Sequence, residues 1–123
     1  MGQPLQLTWT PAGQPALGRI ELKLDISHHG GARGKIECDV PDTGSLEIPA
    51  SQVSGLLALG VAGYPTIVVT RASTATAAVS AGVISLRILS PVERAVDIEG
   101  LSSCTKDAEC PTGQTCQTDL TCK

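Results

Sequence analysis

At 123 residues with a formal net charge of −3, the chain is long enough for one domain of ordinary size and a small appendage. Hydrophobic residues make up 41% of it but aromatic ones only 2%, with one Trp, one Tyr and no Phe. A core of Val, Ile, Leu and Ala is feasible, whereas stacking on nucleic-acid bases and aromatic platforms for sugars are nearly excluded. The charges are of both signs and scattered, so no basic run exists to grip phosphate or an anionic membrane surface, and no nucleic-acid partner is expected.

No apolar segment approaches the roughly 20 residues that a transmembrane helix needs. Met1-Gly2-Gln3-Pro4 leads straight into a strand pattern, so no signal peptide is visible. The expectation is a mature chain or an excerpt of a longer protein. Met1-Gly2 starts like a myristoylation signal, but Gln6 stands where that signal needs Ser or Thr.

Leu5–Thr10 alternates apolar and polar residues and reads as a first strand; Pro11, Gly13 and Pro15 break it. Arg19–Ser27 follows, with the clearest pattern in the chain. In a strand, Ile20, Leu22, Leu24 and Ile26 share one face, and Arg19, Glu21, Lys23 and Asp25 the other. A helix, with its period of about 3.6, cannot gather those four apolar residues on one side.

The glycine-rich run His28–Gly34 connects it to Lys35–Val40, whose Ile36, Cys38 and Val40 point inward, so the two strands are expected to pair as a hairpin. Pro41-Asp42-Thr43-Gly44 is a turn, with Asp42 accepting a local backbone hydrogen bond and Gly44 supplying positive φ. Ser45–Ile48 is a short strand ended by Pro49. A short helix over Gln52–Ala58 is predicted, capped by Ser51, with Val53, Leu56 and Leu57 on one face and Gly60 as its stop.

Thr66–Arg71 is rich in β-branched residues and reads as a strand. Ala72–Ser80, small and Thr/Ala-rich, reads as a weak segment or loop. Val83–Leu89 is a strand in which Ile84, Leu86 and Ile88 alternate with Ser85 and Arg87; Pro91 is expected to end it. Val92–Ile98 is predicted as a last strand, with Val92, Val96 and Ile98 inward. About seven short strands with turn signals every 8–12 residues or so predict an all-β fold: an immunoglobulin-like antiparallel β-sandwich with one short helix over residues 1–100. The immunoglobulin Cys…Trp…Cys spacing is absent, so the expectation concerns architecture only.

Residues 101–123 differ in kind. Cys104, Cys110, Cys116 and Cys122 are each separated by five residues, most of them polar or small. About twenty such residues cannot bury a core, so cross-links must hold them together, and two disulfides each stabilise by roughly 2–3 kcal/mol for short loops. Three pairings are open; the interleaved Cys104–Cys116 and Cys110–Cys122 is the preferred one. Zinc ligands usually come in Cys pairs with two to four intervening residues, which this spacing does not offer. Disulfides place the chain in an oxidising compartment: extracellular, cell surface or periplasm.

The segment Cys104-Thr-Lys-Asp-Ala-Glu-Cys110-Pro-Thr-Gly-Gln-Thr-Cys116 resembles the small Cys-rich repeats of secreted and surface proteins, notably those of myxobacteria and related bacteria. Cys38-Asp-Val-Pro-Asp-Thr-Gly-Ser-Leu-Glu-Ile-Pro-Ala is similar to a stretch of uncharacterised myxobacterial lipoproteins. Together these cover about a third of the chain, and they imply a surface or secreted location and a non-catalytic module. Larger proteins often carry several such repeats; this chain has one.

Candidate sites are few. Cys38, left odd by the tail, is expected to be a buried free thiol or to pair with the tail or another chain. His28 and His29 are adjacent, and at a strand end their rings would point opposite ways, unsuited to chelating one metal. Asp42-Thr43-Gly44 matches the Asp-Thr-Gly of retroviral-type aspartic proteases but lacks the preceding hydrophobic strand, and the turn explains all its residues. No nucleophile elbow, Walker or Rossmann glycine pattern occurs. No enzyme and no cofactor or metal is therefore expected. The functional expectation is a structural, adhesion or assembly protein with protein partners, self-association included. A filament or surface-layer subunit would join through strand pairing, with Leu5, Leu7 and Trp9 on the assembly strand. The alternative is a carbohydrate- or calcium-binding module of a larger secreted protein.

Overall fold

The computed structural model describes residues 2–14 and 16–123. Among them are six strands: β1 (Leu5–Thr8), β2 (Gly18–Asp25), β3 (Lys35–Pro41), β4 (Ser45–Ile48), β5 (Thr66–Val79) and β6 (Gly82–Ala95). One α-helix, α1 (Ala50–Leu57), separates β4 from β5, and a single 3-10 turn at Asp107–Glu109 lies in the tail. The fold is mostly β, with antiparallel sheets, one helix and a disulfide-bonded tail.

β2 is the centre of the molecule, flanked by β3 and β5, with β6 beyond β5 in the order β3-β2-β5-β6. Its alternation does what the period-two pattern demands: Ile20, Leu22, Leu24 and Ile26 are each no more than 4% exposed. Leu22, Leu24 and Ile26 are covered by a second layer made of the β1–β4 pair and α1, through Leu5, Leu7, Leu46, Ile48, Val53 and Leu56. The predicted hairpin forms, with Ile36, Cys38 and Val40 opposite Leu24, Leu22 and Ile20. On the outer face Lys23 stands opposite Glu37 and Asp25 opposite Lys35, cross-strand pairs of opposite charge that favour this register.

Three boundaries differ most from expectation. The helix starts at Ala50 behind Pro49 with no side-chain cap, so Ser51 lies inside it; Pro49 already has the fixed φ suited to a helix start. Ala72–Ser80 is largely strand, because β5 continues to Val79. β6 runs through Pro91 without interruption, so no separate last strand forms at Val92–Ile98. β6 bonds to β5 only, and proline is tolerated on such an edge strand because the N–H it lacks belongs to the open side. Val96 and Ile98 do pack against the core. Val92, predicted inward, is 49% exposed.

The tail closes with the interleaved disulfides Cys104–Cys116 and Cys110–Cys122. It is also docked: Cys104 is 0% and Thr121 2% exposed. The Gly63 N–H donates to the Asp119 carbonyl at 2.7 Å, and the Ser103 hydroxyl donates to the Gly63 carbonyl. Asp119 accepts from Thr121 and Lys123, which hold its carboxyl below the usual carboxylate range.

Candidate interaction surface

β5 and β6 pair along their whole length, from Thr66 opposite Ala95 to Val79 opposite Gly82. β2 accompanies β5 only as far as Ser73. The remaining hairpin, Thr74–Val79 with Gly82–Arg87, therefore leaves the body as a two-stranded arm, about 20 Å long at ~3.4 Å per residue. Its strands hold together through Thr, Val and Ile, which suit the pleated conformation, and through a two-residue turn at Ser80-Ala81.

Cross-strand partners share a face, which fixes the arm's orientation. Leu24, Leu22 and Ile20 face the core, so their β5 partners Ile67, Val69 and Arg71 lie on the same side. Two-residue steps along β5 then place Ser73, Ala75, Ala77 and Val79 on that side, with Ile88, Leu86 and Ile84 opposite the first three of these. The other side carries Thr74, Thr76, Ser85 and Arg87 among Ala78, Val83 and Leu89. The alternation Ile84-Leu86-Ile88 is thus real, but the covering layer stops before it reaches the arm. Val79, Ile84, Leu86 and Ile88 are 45–61% exposed. Singly exposed apolar side chains are ordinary; a contiguous stripe of them marks a contact surface.

The stripe begins at a hollow of about 290 Å³ lined by Leu7, Trp9, Ile20, Val69 and Val92 among others. One wall of that hollow is fastened by Asp42. Its carboxylate, with a side chain 1% exposed, accepts from the Ala12 N–H at 3.0 Å, the Trp9 indole N–H at 2.6 Å and the Arg71 guanidinium at 3.0 Å. The Arg71 guanidinium also donates to the Thr10 carbonyl. The Ala12 N–H is the main cause holding the Asp42 carboxyl below its ordinary 3.8, with Trp9 and Arg71 adding to it against the opposing effect of burial. Asp42 thus ties the β1 end, the β3–β4 turn and β5 together. Its lone pairs face donors, an arrangement for structure and not for moving protons.

The sign of the pH dependence follows. A carboxyl lowered in the folded state stabilises fully above its ordinary pKa, and that stabilisation disappears as pH falls through the folded value. Stability is expected to drop as pH falls below about 3.8. Asp42→Asn is expected to lower the urea midpoint more at pH 7 than at pH 2, because the charge's contribution is lost progressively below the ordinary carboxyl value. Equal losses at both pH values would show that the charge contributes nothing.

The other residues singled out from sequence are dispersed. Leu5 and Leu7 sit on β1, which pairs with the chain's own β4 and packs on the shared core, whereas Trp9 lies just past the end of β1, which stops at Thr8 and not Thr10. Cys38 is a free, half-buried thiol opposite Leu22, with no link to the tail. His28 and His29 do not point opposite ways: His29 has φ of 64°, and the two ring centroids are 3.9 Å apart at 51°. The expected divergence assumed extended backbone, and the chain turns there instead. Cys104, Cys110 and Cys116 have their sulfurs within 4.8 Å of one another, but disulfide bonding takes the thiolates a metal would need. The arm has no signature in sequence as a unit, because its inner strand is mostly Ala and Thr, with no core-like period to announce it.

Comparison with family models, curated proteins and solved structures finds no match to this chain.

Proposed function

We propose that the chain is a non-catalytic structural subunit of an extracellular or cell-envelope assembly, joining protein partners through its strands. The observation that carries this reading is the arm: a two-stranded projection with an uncovered apolar stripe continuous with the core face. An isolated two-stranded hairpin is marginal in water, and a protein that keeps one apolar and extended gains stability from covering it. The two disulfides suit an oxidising compartment, in line with the tail's resemblance to Cys-rich repeats of secreted proteins. The two-layer body is read as a reduced immunoglobulin-like sandwich, a scaffold for the arm.

Assembly through β1 was the sequence expectation, and a filament or surface-layer subunit remains the larger-scale form of the proposal. β1 supplies Leu5 and Leu7 to its own core, whereas the arm offers a surface without withdrawing any strand. Size-exclusion chromatography with light scattering, followed by electron microscopy of the unreduced full chain, tests the reading. Particles heavier than 12.6 kDa that grow with concentration are expected. A species that stays monomeric and binds no protein partner ends it.

A further inference from the structure

We infer that the arm's occupant is a second copy of this chain: two arms pack face to face in an antiparallel, two-fold pair, each arm tip reaching the hollow at the base of the other. This rests on the assembly reading above and names its contact.

Three features lead to a second copy. The first is the position of the covering layer. β1, β4 and α1 lie on the same side of the sheet as the arm's apolar stripe, and they end beside Leu7 and Trp9. A partner arm entering from the opposite direction occupies that side without meeting the layer, and stops where the layer begins. A parallel arrangement would drive the two layers into each other. In the antiparallel pair each arm extends its partner's second layer, so both uncovered stripes are covered by one rotation, as an isologous contact requires.

The second feature is charge. Between Ser73 and Val79, and between Gly82 and Ile88, the core-side face holds only Ser73, Ala75, Ala77, Val79, Gly82, Ile84, Leu86 and Ile88. A face without charge meets its own copy with no like-charge repulsion. Arg71, the nearest cation on this side, is already engaged by Asp42 and Thr10. Arg87 projects from the other face and pairs with Glu21.

The third is size. Two strands spaced about 4.8 Å apart over ~20 Å, together with the hollow, bury on the order of 1,000 Å² in total when two copies meet, the lower limit for a specific interface. The dimer is accordingly expected to depend on concentration. Pairing of β6 edges is the competing geometry, and it would use both faces of the arm equally.

Sedimentation velocity of the unreduced full chain over a concentration series decides it. Leu86 and Val83 lie on opposite faces of the same strand, 58% and 72% exposed, so lysine at either leaves the fold intact. The wild type is expected to shift from monomer to dimer. Leu86→Lys is expected to raise the dissociation constant about tenfold or more by placing a charge in the contact, and Val83→Lys to change it less than about twofold. Assemblies that survive Leu86→Lys, or that Val83→Lys disrupts as strongly, overturn the face-to-face pair while leaving assembly itself standing. A wild type that stays monomeric up to about 1 mM overturns the pair; if no other protein binds the arm either, the assembly reading falls with it.

Discussion

Replacing Gly63 by alanine is expected to release the cysteine module from the body. Gly63 has φ of +56°, and a Cβ there would lie 2.1 Å from the His28 carbonyl oxygen and 2.5 Å from the Gly30 nitrogen. Both neighbours are backbone and cannot rotate away. The contact is reciprocal: a Cβ on Gly30 would come within 2.2 Å of the Gly63 nitrogen and 2.6 Å of the Asp119 carbonyl oxygen. Relieving the overlap shifts the loop whose N–H and carbonyl hold Asp119 and Ser103. Strain and lost hydrogen bonds together are expected to cost about 3 kcal/mol or more. Limited proteolysis would then cut at Gly100–Ser103 in the variant under conditions that spare the wild type. Gly55→Ala, in the helix with nothing within 4 Å of the new Cβ, is the control, and is expected to be neutral or to stabilise by up to about 1 kcal/mol. Wild-type protease resistance in Gly63→Ala would refute the interlock.

Leu24→Ala is expected to destabilise the body by about 3–4 kcal/mol. Leu24 is 4% exposed, lies between Ile36 and Ile67, and belongs to the cluster formed with Leu22, Ile26, Ile48 and Leu56. Truncating it removes buried methyl groups and leaves a cavity that a β-sheet held on both sides collapses poorly. A loss of that size lowers the melting temperature by roughly 10–20 °C in a domain this long. Leu86→Ala is the same chemical change at a side chain 58% exposed, and is expected to cost under about 0.5 kcal/mol in the monomer. Urea unfolding of the two variants below the association range measures the contrast. Similar losses would mean that the packed core extends into the arm.

These expectations show where the sequence was informative. The β2 pattern was legible because one face is fully buried and the other charged, so each residue type reports its side. The β2–β3 hairpin followed from two such patterns across a glycine loop, and the helix from three apolar residues at helical spacing. Ala72–Ser80 was illegible for the opposite reason. From Thr74 to Val79 both faces of that segment are exposed, so nothing selects large apolar residues, and Ala and Thr carry little signal. Pro91 ends a strand by local rule, but β6 is an edge strand and runs through it. The spacing Ile84-Leu86-Ile88 was read correctly as a one-sided strand, yet sequence alone does not tell whether a face is covered. Asp42 was recognised as a turn residue, but Trp9 and Arg71 reach it across 33 and 29 positions, contacts that no local pattern encodes. The same is true of Gly30 and Gly63, whose role lies in a close approach between distant loops.

The overhang of the β5–β6 hairpin also grades the chain's resistance to local opening. Near Thr66 and Ala95 the hairpin is bound into a four-stranded sheet over a core; near Val79 and Gly82 it has only itself. Opening the tip exposes almost no newly wetted apolar surface, so its free energy lies far below that of global unfolding, whereas opening the base requires the core to come apart. A single continuous ladder thus passes from fraying end to foldon. A partner bound to the arm raises the tip toward the stability of the base without altering one hydrogen bond in the body.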